Sequence, residues 1–415
     1  MQHIRHLECV QCRKTHAYGS VDYTCPACGP DKGILDVIYD YERIFRTYTP
    51  AALTSDTSFN VWRYRPLLPV DPSWTAPQLH IGWTPLYDFP ALARDLGIRQ
   101  LRVKDDGRQP TASFKDRASS LGVWRAAQQG AKVITCASTG NAASSLAGWS
   151  AHFGLKAFIF VPHTAPEAKL AQLLIYGANV LLVEGSYDQA YDLCQQAVGA
   201  FGWFNRNCAV NPFLVEGKKT GGLELGEQLG NSEPADWVAV PLGDGCTTAG
   251  IWKGLKEMKA MGVLSRTPRI LAVQAEGSSP LHKAWVQGTE TFVPEDAKTI
   301  ADSICVGTPR NAVKALRAIR ESGGAVVTVP DGLIDEWMPR LARNTGVFAE
   351  PTAVAALAGI HVAKQRGIVG KDESVVHYVT GHGLKDSRGA LRAAPSAHKV
   401  APRLDAVRDV VERVG

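Results

Sequence analysis

Short apolar, β-branched runs alternate with helix-like segments over most of this 415-residue chain. The runs occupy residues 101–104, 132–137, 157–161, 180–183, 237–242, 269–275, 325–329 and 375–380. Such alternation indicates repeated strand–helix units, which build a mainly parallel sheet covered by helices on both faces. The sequence therefore predicts an α/β protein.

The first thirty residues stand apart because they hold Cys9, Cys12, Cys25 and Cys28. Two Cys-x2-Cys pairs at this separation are suited to sharing one tetrahedral Zn²⁺, and four thiolates make such a site closed and structural. A module without metal and two redox-active pairs remain as alternative interpretations. The spacing predicts a small zinc-ribbon-like module over residues 1–45.

The net charge and the remaining cysteines indicate which partners and which cellular compartment to expect. The formal net charge is +5, and no like-charged block typical of a nucleic-acid-binding tail is present in the sequence. The other cysteines are scattered, which is typical of unpaired thiols in a reducing compartment. No apolar stretch has the length of a targeting or membrane-spanning segment. We expect a cytoplasmic protein without a membrane anchor.

Lys115 stands at the start of a predicted helix, which is the next element after the strand predicted at residues 101–104. Ser113, with Asp116 three residues later, is typical of an N-cap followed by a carboxylate in the first helical turn. The positive end of the helix dipole disfavours an ammonium there and lowers the lysine pKa. A lysine activated in this way can attack a carbonyl carbon and form a Schiff base. A surface lysine at a favourable helix start is the alternative.

Other loops also follow predicted strands. Residues 138–141 read Ser-Thr-Gly-Asn, residues 243–247 read Gly-Asp-Gly-Cys-Thr, and residues 379–383 read Val-Thr-Gly-His-Gly. Free amides and hydroxyls at helix starts bind carboxylate or phosphate, although residues 138–141 are equally suited to a plain helix cap. Ligands of an open parallel sheet bind outside the carboxyl ends of its strands. We therefore expect these loops and Lys115 to face one site.

Together these segments resemble the threonine synthase family of fold-type II pyridoxal-phosphate enzymes, from about residue 80 to about residue 390. The matching segments, in family order, are residues 104–108, 113–117, 138–141, 216–220, 350–352 and 380–386. The resemblance implies two open, mainly parallel sheets. One would belong to a large domain of residues 46–120 and 207–415, and the other to a small domain of residues 121–206 that closes over the substrate. It also implies a homodimer.

The resemblance implies a ligand set for cofactor and substrate. The cofactor ligands would be Lys115, Asn141, Gly243, Asp244, Gly245, Cys246, Thr247 and Thr380. The substrate ligands would be Ser138, Thr139, Gly140 and Lys218. Lys115 would hold pyridoxal phosphate covalently and move protons at the substrate, Asn141 would bond the phenolic oxygen, and Thr380 would contact the pyridine nitrogen. Backbone amides of residues 243–247 would hold the cofactor phosphate, and residues 138–140 the substrate carboxylate.

In the family reaction, O-phospho-L-homoserine loses phosphate from Cγ and water adds at Cβ to give L-threonine. An arginine and an asparagine usually contact the substrate phosphate, but here Leu214 and Cys208 stand in their places. Thr247 replaces another common asparagine, and Lys218 replaces a glutamine and adds a positive charge. A threonine synthase-like lyase is the leading hypothesis for this chain.

Two other hypotheses stay open. One is a related β-replacement or β-elimination enzyme, similar to cysteate synthase or to a serine/threonine ammonia-lyase, acting on an amino acid without that phosphate-binding mode. The other is a non-catalytic nucleic-acid-binding regulator, which rests on the N-terminal module alone. In the first 32 residues only Arg5, Arg13, Lys14 and Lys32 are basic, with no interleaving of aromatic and basic residues, so this composition does not favour the regulator.

Overall fold

The computed structural model describes residues 1, 3–71, 73–165, 167–208, 210–230 and 234–414. The N-terminal part contains β1 (Ile4–Cys9), β2 (Thr15–His16), α1 (Gly29–Lys32), β3 (Leu35–Tyr39), α2 (Tyr41–Phe45) and α3 (Pro50–Ser55). Strand β1 pairs antiparallel with both β2 and β3. The cysteine-rich segment therefore forms a small sheet of its own.

The rest of the chain alternates strands and helices. Its first part contains β4 (Leu86–Asp88), α4 (Pro90–Leu96), β5 (Gln100–Asp105), α5 (Lys115–Gln128), β6 (Val133–Ala137), α6 (Asn141–Phe153), β7 (Lys156–Pro162), α7 (Glu167–Ile175), β8 (Asn179–Val183), α8 (Tyr187–Phe201) and β9 (Phe204–Asn205). Its second part contains α9 (Pro212–Leu229), β10 (Trp237–Pro241), α10 (Cys246–Ala260), β11 (Arg269–Ala275), α11 (Pro280–Val286), α12 (Ala312–Glu321), β12 (Ala325–Val329), α13 (Asp331–Thr345), α14 (Pro351–Gln365), β13 (Ser374–Val379), α15 (Ser387–Ala393) and α16 (Leu404–Val414). Single turns of 3₁₀ helix or short 3₁₀ segments lie at Val61–Leu67, Asp106–Arg108, Asp302–Ile304 and Gly383–Asp386.

Two sheets are built from these strands. The larger has the order β12-β11-β10-β13-β5-β4, and its neighbours are parallel except for the edge pair β4 and β5. The smaller has the order β8-β7-β6-β9 and is parallel throughout. Every residue of β10 and β13 is buried, as expected for strands covered by helices on both faces. The predicted α/β fold with two mainly parallel sheets is confirmed.

No helix in the described ranges combines the length and the hydropathy needed to cross a bilayer.

Helices α9 and α10 cross at very short range, which brings their active-site ends together. A Cβ atom on Gly222 of α9 would lie 2.1 Å from the carbonyl oxygen of Ile251. A Cβ atom on Gly254 of α10 would lie 2.3 Å from the carbonyl oxygen of Lys219. Only glycine permits this approach, so the start of α10 lies beside the first turns of α9.

A buried ion network joins β5, α5 and α9. The Arg117 guanidinium donates to Asp106 through Nε at 2.6 Å and Nη2 at 2.9 Å, and to Glu224 through Nη1 at 2.9 Å and Nη2 at 3.0 Å. Lys104 of β5 forms a further ion pair with Glu224, and the side chains of all four residues are fully buried. The two cations hold the pKa of Glu224 well below its usual range. The network fixes the start of α5, where Lys115 lies.

Removing one charge from this network is expected to destabilise the fold strongly. Glu224→Gln leaves Arg117 and Lys104 short of a buried counter-charge, which lowers the free energy of unfolding by about 3–5 kcal/mol. The control, Glu336→Gln, breaks a half-exposed pair with Arg340 and costs less than about 1 kcal/mol. Urea denaturation followed by circular dichroism measures both. Equal midpoints for the two variants would contradict this role of the network.

Candidate active site

The loops that follow β5, β6, β10 and β13 meet at one cavity of about 670 Å³. All the residues predicted to bind cofactor or substrate line it. They are Lys115, Ser138, Thr139, Gly140, Asn141, Lys218, Gly243, Asp244, Gly245, Cys246, Thr247 and Thr380. Residues that follow strands of both sheets therefore line the same cavity. The role of each residue there stays a prediction.

Lys115 is the first residue of α5, and its side chain lines the cavity. Burial lowers the pKa of its ammonium to about 8, and the nearby charges of Lys218 and Arg206 add to this effect. From the sequence we expect the helix dipole to lower the pKa of Lys115. In the structure the largest cause is instead the removal of the ammonium from water. At this pKa more of the amine is neutral near neutral pH than in an ordinary lysine, which makes it a better nucleophile and base.

The predicted N-cap of α5 is wrong. Phe114 occupies that position without a side-chain cap, and the Ser113 hydroxyl is buried without a hydrogen-bond partner in the described part of the chain. The Asp116 carboxylate instead accepts from the Thr111 amide at 2.8 Å and from Trp149 Nε1 at 3.0 Å. Asp116 thus anchors the preceding loop and helix α6 to the start of α5.

Asn141 begins α6 and is held by a carboxylate. Its Nδ2 donates to both Glu350 oxygens, at 2.9 and 3.1 Å. Burial raises the pKa of Glu350. The Glu350 amide in turn donates to the Gly381 carbonyl at 3.1 Å, next to Thr380. Glu350 therefore couples two of the predicted loops.

The loop before α10 is shaped by Gly245, which has a φ of 91°. A Cβ atom there would lie 2.6 Å from Ala315 Cβ and 2.9 Å from the Asn311 carbonyl oxygen, so only glycine fits. Helix α10 begins at Cys246 without a side-chain cap. The amides of its first turn are therefore available to an anion in the cavity.

Thr380 presents an unpaired hydroxyl to the cavity. Its Oγ1 is buried and has no hydrogen-bond partner among the described residues. A buried hydroxyl without a partner is costly, and a ligand atom such as a heteroaromatic nitrogen can satisfy it.

Sequence reasoning missed Arg206 and Asn207, which also line the cavity. They follow β9, which spans only two residues, Phe204–Asn205, and so left no recognisable strand pattern. The Asn207 Oδ1 accepts from the Ala137 amide at 3.2 Å. The parallel pairing of β9 with β6 brings the end of β9 to the sheet edge that carries residues 138–141. Knowledge of this pairing would have placed Arg206 and Asn207 at the site.

The positions that depart from the family pattern have different surroundings. Leu214 is fully buried and packs against Gly122 rather than lining the cavity. Cys208 lines the cavity and is hydrogen-bonded to Cys246, whose S–H group holds the pKa of the Cys208 thiol well below its ordinary value, with help from Lys218 and Arg206.

The N-terminal cysteines form a separate cluster. The sulfur atoms of Cys9, Cys12, Cys25 and Cys28 all lie within 4.8 Å of one another. This grouping has the thiol number and proximity of a four-cysteine metal site.

Solved structures share the fold of this chain. A processed threonine deaminase from Solanum lycopersicum aligns with a TM-score of 0.65 at 21% identity, covering 75% of this chain and 87% of that one. Maize serine racemase aligns with a TM-score of 0.65 at 21% identity, covering 80% and 93%. These likenesses identify the fold as that of fold-type II pyridoxal-phosphate enzymes.

Sequence comparisons identify the family. Residues 77–381 match the family described as pyridoxal-phosphate dependent enzyme. The threonine synthase of Methanocaldococcus jannaschii is 38% identical over 98% of this chain and 99% of its own length. That of Methanosarcina acetivorans is 37% identical over 98% of both chains, and that of Synechocystis is 37% identical over 82% of this chain and 87% of its own length. The chain therefore belongs to the threonine synthase family of pyridoxal-phosphate-dependent enzymes.

Proposed function

We propose that this protein is a threonine synthase, which converts O-phospho-L-homoserine and water into L-threonine and phosphate. The observation that carries the proposal is the buried Lys115 in a cavity lined by the loops after β5, β6, β10 and β13. The near full-length similarity to threonine synthases supports the choice of substrate.

The residues present fit pyridoxal phosphate. The amides at the start of α10 suit its phosphate, the unpaired Thr380 hydroxyl suits its pyridine nitrogen, and the Asn141 amide, held by Glu350, suits its phenolic oxygen. Lys115 would bind it covalently. When bound, the cofactor supplies an electron sink for the carbanion at the substrate's Cα.

The chain's own residues would orient the substrate and move its protons. The amides and hydroxyls of residues 138–140 would bind the substrate carboxylate at the start of α6. Lys115 would take protons from Cα and Cβ and return protons to the carbon skeleton, which its pKa near 8 permits. The Cγ–O bond breaks with phosphate as leaving group, and Cγ and Cα each receive one of the two protons taken from the carbon skeleton. Water gives its hydroxyl to Cβ and its remaining proton to the released phosphate.

The second candidate is a β-elimination or β-replacement enzyme on an amino acid such as serine or threonine. The burial of Leu214 away from the cavity favours it, because the usual arginine ligand for a substrate phosphate is missing there. Elimination from serine or threonine would need no such ligand.

We also propose the finer organisation of the protein. Residues 121–206, which contain the four-stranded sheet, would close over the substrate as a small domain against residues 46–120 and 207–415. The scattered spacing of the five cysteines outside residues 1–45 supports a reducing cytoplasm. The family resemblance supports a homodimer.

Residues 1–45 would hold one structural Zn²⁺ through Cys9, Cys12, Cys25 and Cys28. Thiolates about 2.3 Å from a tetrahedral zinc lie roughly 3.8 Å apart, and the Cys12 and Cys25 sulfurs are 3.8 Å apart. Strand β3 connects this module to the enzyme core, because Tyr39 donates to Glu216 of α9 at 2.8 Å.

Lys115→Ala is expected to abolish the visible absorbance of the bound cofactor, because no amine remains to form the covalent link. Absorbance spectra of the purified protein measure this, with the exposed Lys371→Gln as a control that keeps the wild-type spectrum. A Lys115→Ala protein with an unchanged visible spectrum would contradict the assignment.

Purified protein incubated with O-phospho-L-homoserine is expected to release phosphate and threonine in equal amounts. Phosphate assay and amino-acid analysis measure the two products. No reaction with this substrate, together with release of a 2-oxoacid from serine or threonine, would favour the second candidate.

Metal analysis is expected to find about one zinc per chain in the wild type and little in Cys9→Ser, since three thiolates leave the tetrahedral site incomplete. Cys305→Ser, outside the cluster, serves as the control and keeps its zinc. Equal zinc content in Cys9→Ser and Cys305→Ser would contradict the proposed metal site.

A further inference from the structure

Two buried cations line the cavity in addition to Lys115. Arg206 follows β9 and is 2% exposed, and Lys218 lies on α9 and is 3% exposed. Each raises the local positive potential, since both lower the pKa of Lys115. Neither belongs to the residues proposed to hold the cofactor.

These cations differ from neighbouring buried cations in having no carboxylate partner. Lys219, the next residue on α9, pairs with Glu216 at 2.7 Å and with Glu257 at 3.1 Å. In the part of the chain that the structure describes, no Asp or Glu forms an ion pair with Arg206 or Lys218. Because a buried charge is costly without a partner, two cations that lack a carboxylate partner at a cavity wall are suited to a bound anion.

Both side chains are held in place by packing and hydrogen bonds. Arg206 donates through Nε at 3.1 Å and Nη2 at 2.9 Å to the Ser119 hydroxyl, which also bonds Ser145 at 2.6 Å. Lys218 packs against Gly250 of α10, where a Cβ atom would lie only 2.8 Å from Lys218 Cβ. The cations are therefore positioned before a ligand arrives, which reduces the entropy lost on binding.

The surroundings already stabilise one negative charge. Lys218 is hydrogen-bonded to the Cys208 sulfur, and Lys218 and Arg206 both favour its thiolate form. Leu214 is apolar and is buried against Gly122, so it adds no polar group to the cavity. The positive side of the cavity thus depends on residues 206 and 218 rather than on position 214.

We propose that Arg206 and Lys218 form the subsite for the phosphate ester of the substrate, while the amides of residues 243–247 would take the cofactor phosphate. The assignment rests on the proposed function, which supplies a phosphomonoester dianion. A guanidinium binds two phosphate oxygens as a fork, and an ammonium adds a point charge, so the pair matches a dianion.

The test uses the cofactor-loaded wild type and the variants Arg206→Met, Arg206→Lys and Lys218→Gln. Each loss of a charged hydrogen bond is expected to raise the KM and the dissociation constant of O-phospho-L-homoserine about tenfold or more. Arg206→Lys keeps the charge, so its binding should fall between those of wild type and Arg206→Met. Absorbance changes of the cofactor measure binding. L-Homoserine, which lacks the phosphate, should bind all variants within about twofold of the wild type.

Arg310→Met is the matched control, because Arg310 also lines the cavity but stacks over Tyr191, 3.9 Å from the ring centroid. It should change O-phospho-L-homoserine binding by less than about threefold. An equal loss of O-phospho-L-homoserine affinity in Arg310→Met would show that any positive charge in the cavity has this effect, and it would contradict the subsite. Loss of cofactor on dialysis of Lys218→Gln would assign Lys218 to the cofactor phosphate and overturn the proposal.

The outcomes separate this proposal from the proposed function. A wild type that forms threonine, with KM unchanged in Arg206→Met and Lys218→Gln, contradicts only the subsite. A wild type that neither binds nor converts O-phospho-L-homoserine contradicts the proposed function, and the subsite with it.

Discussion

The position of Lys115 depends on the ion network of Arg117, two residues further along α5. Arg117 joins Asp106, at the end of β5, to Glu224 of α9, and all three side chains are fully buried. Helices α5 and α9, which each carry part of the cavity wall, are thereby held together with the end of β5. The charges that join them cannot be separated without leaving one of them unpaired in a low-dielectric interior. The reactive amine is placed by a structural salt-bridge network rather than by a capped helix start.

The buried cations of this region serve different purposes according to their partners. Lys104, Arg117 and Lys219 are matched by carboxylates and stabilise the fold. Among the residues that the structure describes, Lys115, Lys218 and Arg206 face the cavity without a carboxylate partner. Since buried charges are unfavourable without a partner, this second group supports the proposed binding of anionic and carbonyl-bearing ligands at the cavity.

Much of the frame was predictable from the sequence, because β-branched runs and strand-end loops carry local signals. The strands predicted at residues 269–275 and 325–329 coincide with β11 and β12, and the predicted site loops meet at one cavity. The sequence predicted Ser113 as the N-cap of α5, and this was wrong. The helix begins one residue later than Ser113 would allow, because Phe114 takes the cap position and Asp116 bonds the preceding loop. Arg206 and the Asn141–Glu350 contact were invisible, because they arise from pairing between distant segments.

Lys115 is proposed to bind the cofactor covalently in a cavity built by four strand-end loops. Borohydride reduction of the cofactor-loaded protein, followed by peptide mass mapping, tests this role. We expect the cofactor mass on the peptide that contains Lys115. Labelling of Lys218 or any other lysine in its place, or no labelled peptide, would contradict it.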